Sequence, residues 1–71
     1  MRVEKHLHIT STSTVSWKDA IVKSITEASK TIDNICSIKV LNQRADIKDS
    51  KINLYYVDLD LCFVVNKDRS N

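Results

Sequence analysis

The chain contains no glycine. That excludes a phosphate-cradling loop of the usual kind, which relies on glycine for its backbone turns and its close approach to the ligand. Cysteine is scarce as well. Two cysteines in 71 residues do not make a disulfide scaffold, and Cys36 and Cys62 lack the short spacing of a metal-binding pair. Aromatic residues number one Trp, two Tyr and one Phe, and the net charge is only +2. The basic residues are scattered through both halves. A nucleic-acid groove needs a basic stripe, usually with stacking rings, and neither is visible. No apolar run approaches the ~20 residues of a membrane span. Arg2, Glu4 and Lys5 sit where a secretion signal would be apolar, so a cytoplasmic location is expected.

What is present is a helix that feeds directly into a strand. Ser16 can accept a hydrogen bond from the free amides of a first helical turn. Asp19, three residues on, places negative charge at the positive end of the helix dipole. Trp17, Ala20, Ile21, Ile25, Ala28 and Ile32 come in steps that trace one helical face. Lys18, Lys23, Thr26, Glu27 and Lys30 cover the other. The spacing predicts a helix from Ser16 to about Ile32, stopped at Asp33-Asn34, where both side chains compete for backbone groups.

The flanking segments alternate with period two. A first strand is expected over about Arg2 to Thr10, with Val3, Leu7 and Ile9 on one face and Glu4, His6, His8 and Thr10 on the other. A second is expected over about Ile35 to Arg44, with Cys36, Ile38 and Val40 opposed to Ser37, Lys39, Leu41 and Gln43. A third runs over about Ile52 to Val65. There Tyr55, Val57, Leu59, Leu61, Phe63 and Val65 form one apolar face, and Leu54, Tyr56, Asp58, Asp60, Cys62 and Val64 form the other. Polar Ala45 to Lys51 reads as a hairpin connection, and Lys67 to Asn71 as a frayed polar tail. The order β-α-β-β gives an α+β fold: a three-stranded antiparallel sheet, order 1-3-2, wrapped around one helix in a single domain over residues 1–71.

A chain of this length buries roughly 60% of its unfolded surface. Domains below ~70–80 residues usually need a disulfide, a metal, unusual packing or oligomerisation. Cys36, on an apolar strand face, is expected as a buried reduced thiol. Cys62 is expected to be exposed or at an interface. Oligomerisation is the staple left over, and Leu54, Tyr56, Cys62 and Val64 make the second face of the third strand too apolar to be wholly solvated.

Two further constellations bear on chemistry. His6 and His8 share one face of the first strand, and Asp58 and Asp60 share one face of its predicted neighbour. Two imidazoles and two carboxylates on adjacent strands are candidates for a divalent ion, with imidazole favouring zinc, nickel or copper over calcium. The alternative is cross-strand charge pairing on a solvated face. Ser11, Thr12, Ser13 and Thr14 offer hydroxyls, but no nucleophile, base and orienting acid fall in a recognisable order. No enzymatic activity is expected.

The order β-α-β-β, with SWKDA at the helix start, ASKT near its end, NQR closing the second strand and YYVDLDLCFVV in the third, resembles the dodecin family over about residues 3 to 65. The resemblance implies a hollow shell of twelve identical subunits. It implies flavin binding between subunits (FMN, FAD, riboflavin or lumichrome), and storage or sequestration without turnover. Some bacterial members are associated with coenzyme A. The family's flavin-stacking tryptophan lies three residues after the asparagine that follows the helix; here that asparagine is Asn34, and the position is Ser37. The family's glutamine that bonds the flavin edge aligns with Tyr56. Gln43 and Arg44 keep the family's pattern. The resemblance therefore places the cofactor near Ser37, Gln43, Arg44 and Tyr56. A hydroxyl offers no indole face, and stacking on an aromatic ring is worth ~1–3 kcal/mol per base in nucleic-acid systems, so flavin affinity is expected to be weakened. The alternative is a shell of the same fold that binds no flavin and holds a metal ion or another cofactor such as coenzyme A. Trp17 matches the family's helix-start tryptophan and is expected to pack rather than to stack on a ligand. Ser11, Ala45, Ser50 and Cys62 stand where the family usually has glycine.

Overall fold

The computed structural model describes residues 2–66. It consists of β1 (Arg2–Ser13), α1 (Trp17–Ala28), β2 (Ile35–Lys48) and β3 (Lys51–Asn66). The strands form one antiparallel sheet in the order β1-β3-β2. This is the α+β architecture read from the sequence. The polar tail expected over 67–71 lies outside the described residues.

The helix starts where its cap chemistry places it. Ser16 is the N-cap, and its hydroxyl accepts from the Asp19 amide at 2.9 Å. Asp19 also pairs with Lys23 at 3.0 Å, one turn on. The apolar stripe of the helix lies on the sheet. Ala20, Val57 and Leu59 form the core, and Ile9, Trp17, Ile21 and Ile38 pack around it. Val57, Leu59 and Leu61 are fully buried, as the alternation in β3 requires.

The helix ends at Ala28, not at about Ile32. The Lys30 and Thr31 amides bond carbonyls three residues back, at 3.2 Å each, before Ile32 bonds Ala28 at 2.9 Å. The chain thus tightens through one 3₁₀-like turn, in a stretch where serine and β-branched threonine are poor helix formers. Ile32 stays half-buried, so the apolar period outlasts the helix. Asn34, at φ 62°, then turns the chain into β2.

The strands are longer than expected. β1 reaches Ser13 instead of Thr10, and β2 reaches Lys48 instead of Arg44. The connection expected over Ala45 to Lys51 shrinks to Asp49 and Ser50, whose φ values are 54° and 65°. Two successive residues of positive φ are the mark of a two-residue type I′ hairpin turn. The polar residues before it belong to the exposed arm of a two-stranded ribbon, which is why their composition resembles a loop.

Register shifts interrupt β2 between Ile35 and Ser37, Val40 and Asn42, and Asp46 and Ile47. The first reverses the expected burial of the thiols. Cys36 lies in the irregular step and is exposed, whereas Cys62 is buried. The second breaks the alternation expected for β2. Gln43 falls opposite Val57, on the face that carries the helix, while Ser37 falls opposite Cys62 on the other face.

Candidate functional site

The face of the sheet away from α1 carries most of the polar chemistry. β3 contributes Tyr56, Asp58, Asp60 and Cys62; β1 contributes Thr12, Thr10, His8, His6 and Glu4 opposite them or their neighbours; β2 contributes Arg44, Asn42, Lys39 and Ser37.

Near the hairpin, Arg44 and Tyr56 are cross-strand partners. The guanidinium carbon lies 3.9 Å from the Tyr56 ring centroid, a cation–π contact. The Tyr56 hydroxyl donates to the Asp46 carboxylate at 2.9 Å. That bond holds the phenol's proton and keeps Tyr56 above its ordinary pKa. On the helix side, Trp17 Nε1 donates to the Arg44 carbonyl at 3.0 Å. Its indole meets Tyr55 edge-on at 4.8 Å and 82°. Trp17 thus fastens the helix start to β2 and β3, the packing role expected of it.

Midway along the face, Thr10 donates to Asp58 at 2.7 Å. This bond is the main reason that the Asp58 carboxyl sits below its usual range. His6 Nδ1 and Asp60 Oδ2 are 2.7 Å apart. Asp58 and Asp60 are therefore each engaged by a different β1 side chain.

At the far end, Cys62 is the centre of a cluster. Cys36 Sγ lies 3.4 Å from Cys62 Sγ, and Cys62 Sγ lies 3.4 Å from Glu4 Oε1. The neighbouring Cys36 thiol, reinforced by burial and by Glu4, pushes the Cys62 thiol up to about 11. Ligand atoms of Glu4, His6 and Cys62 lie within 4.8 Å of one another, the one such metal-capable group among the described residues. It shares only His6 with the His6, His8, Asp58 and Asp60 set expected from the sequence. Glu4 and Cys62 are partners that sequence reasoning missed. Their signal lies in strand parity, since Glu4, His6 and Cys62 all occupy outward positions, but only the register His6↔Cys62 joins them.

Of the four residues expected near a cofactor, Arg44 and Tyr56 are in contact. Ser37 shares their face but pairs six β3 positions away, a separation of ~20 Å at strand rise. Gln43 is on the helix face. A separate groove of about 390 Å³ lies between β1 and the end of α1, lined by Leu7, Ile9, Ser24, Ala28 and Ile32 among others; it includes none of the four.

The architecture defines a small one-helix sheet protein with a polar sheet face away from the helix and a hairpin that extends past the end of β1. The sequence profile of the dodecins matches residues 3–66, and the chain belongs to the dodecin family. Among solved structures, a variant of the Thermus thermophilus dodecin superposes with a TM-score of 0.88 at 24% identity, covering 94% of this chain and 98% of that one. The Streptomyces coelicolor dodecin gives 0.87 at 23% identity, over 93% and 94% of the two chains. A Mycobacterium tuberculosis protein described as a calcium-chelating antigen, calcium dodecin, gives 0.77 at 26% identity, over 97% and 99%. No curated protein sequence matches the chain significantly.

Proposed function

We propose that this chain is the subunit of a homo-oligomeric shell, a dodecamer as the family resemblance implies, that holds a planar cofactor of the flavin class between subunits and stores it without turnover. The observation that carries this reading is the mismatch between the sheet and its single helix. The subunit measures 59 × 20 × 12 Å, and α1 covers only the middle of it. Val40, Leu41, Ile47 and Ile52 stay 42–64% exposed on the two hairpin strands, and Val15, before α1, and Val22, within it, exceed 50%. Apolar surface of that extent marks a surface that meets another molecule. Ser37 and Tyr56, six positions apart on one protomer, contribute to one ligand only when different subunits supply them.

Within that shell, Arg44 and Tyr56 supply a cation and a ring, and Gln43 an amide on the other face. Ser37 supplies no stacking surface, so flavin binding is weaker than a tryptophan at this place would give. The test is quenching of flavin fluorescence on titration into the purified oligomer. Ser37→Trp should tighten binding at least tenfold, the equivalent of about 1.4 kcal/mol of regained stacking. Absence of quenching at micromolar flavin in both proteins sinks the flavin reading and leaves the shell.

One observation favours the second reading, a shell that binds no flavin. Arg44 already lies against the Tyr56 ring, and the Tyr56 hydroxyl is taken by Asp46. That end of the face is then self-satisfied, and the cargo is a metal ion or another cofactor such as coenzyme A. Spectra of the protein purified without added ligand separate the two: a flavin absorption band supports the first reading, and its absence in fully assembled protein supports the second.

A further inference from the structure

We propose that Glu4, His6 and Cys62, completed by Cys36, bind a thiophilic divalent cation of the zinc class on the outer face of the sheet. The ligand types are those that zinc takes: thiolate, imidazole and carboxylate. The spacing fits as well. Tetrahedral ligands at zinc–sulfur distances of ~2.3 Å stand ~3.8 Å apart. The Cys36–Cys62 and Cys62–Glu4 separations are both 3.4 Å, and all three of Glu4, His6 and Cys62 place a ligand atom within 4.8 Å of the others. Glu4, His6 and Cys62 therefore already present ligand atoms close enough for one ion, and Cys36 lies 3.4 Å from Cys62. Cys36 has the freedom to complete the cluster, because it lies at the bulge between Ile35 and Ser37 and is exposed.

A second feature points to a ligand. His6 Nδ1 is held by Asp60 at 2.7 Å. Metal-bound histidines commonly make this contact, the carboxylate fixing one nitrogen so that the other faces the ion. Asp60 is then a positioning residue, and Nε2 is the ligand atom. The donor set also discriminates among ions. Calcium takes six to eight oxygens, and this cluster offers one carboxylate beside sulfur and nitrogen. On binding, each thiol gives up its proton to solvent, and the metal–thiolate bond replaces the S–H bond without any change of oxidation state.

The site does not depend on flavin binding, and its test reads a different signal. Reduced, chelator-treated oligomer is loaded with cobalt(II) in place of zinc. One cobalt per subunit should give a sulfur-to-metal charge-transfer band and the visible bands of tetrahedral coordination, both bleached by added zinc. Cys62→Ser and Cys36→Ser should each remove about half of the charge-transfer intensity, and the double variant should abolish it. Asp60→Asn should weaken zinc binding ~10–100-fold while leaving the band in place at saturation. Should Cys62→Ser fail to assemble, the wild-type protein supplies the second measurement: zinc, but not calcium, should protect both cysteines from alkylation. Cobalt spectra without a charge-transfer band overturn the proposal, as does alkylation at the same rate with and without zinc, or equal protection by calcium.

Discussion

Ser13 is a polar residue with almost no exposure, 4%, at the point where β1 ends and the chain turns into α1. Its hydroxyl donates to the Asp19 carboxylate at 2.6 Å and accepts from the Val15 amide at 2.9 Å. The Ser13 bond is the main reason that Asp19 titrates below its ordinary value, with Lys23 adding to it. Because the folded value lies below the unfolded one, this contribution is present above the usual carboxylate range and is lost as pH falls through the depressed value. Ser13→Ala should return the Asp19 titration toward normal, seen by NMR of the side-chain carboxyl. It should also cost about 1–2 kcal/mol in denaturant unfolding, since the Val15 amide loses its partner. Ser16 is legible in the sequence as a cap because its partner Asp19 is three residues away. Ser13 is not, because its role depends on how the end of β1 folds back over the helix. The same holds for Cys62, whose neighbours Glu4 and Cys36 stand 58 and 26 residues away in the chain.

Among the elements, the β2–β3 hairpin is made without glycine. Asp49 and Ser50 both sit in the left-handed region, which costs a non-glycine residue ~1–2 kcal/mol. Aspartate tolerates that region better than serine does. Ser50→Gly should therefore stabilise the protein by about 0.5–1 kcal/mol, the relief of strain being partly offset by glycine's greater freedom when unfolded. A thermal or urea unfolding curve checks it; an unchanged or lowered midpoint means that the turn is not strained. β3 is legible throughout because its alternation is unbroken from Tyr55 to Val65 and its inward positions include the fully buried Val57, Leu59 and Leu61. β2 is legible only in its first half. One extra residue between Val40 and Asn42 reverses the parity of the residues beyond it, as a bulge does. Gln43 therefore leaves the face that its spacing would have it share with Ser37. The apolar period overstates the helix because Ile32 keeps that period after the backbone has already tightened into a turn.

At the scale of the whole molecule, one 12-residue helix cannot cover a sheet whose third strand runs 16 residues and continues past the end of β1 into a short two-stranded arm. The exposed apolar residues of β2, Leu41 beside the bulge and Ile47 in the hairpin arm, are the place to test assembly. Leu41→Asp together with Ile47→Asp should convert a large species into subunits or small oligomers by native mass measurement, with β-sheet circular dichroism falling in parallel. A wild-type protein of monomeric mass overturns the shell. None of the helices among the described residues is long and apolar enough to cross a membrane. The sequence by itself determined the element order, the helix start, the inward face of β3 and the antiparallel 1-3-2 sheet. These arise from local periodicity and from cap chemistry within a few residues, which a chain carries whatever its final packing. Only the tertiary structure decided which outward side chains meet. Strand register and three shifts in β2 set those meetings, and each depends on pairing between distant segments. That is why Arg44 rests on Tyr56, why Asp60 holds His6, and why the buried thiol is Cys62 rather than Cys36.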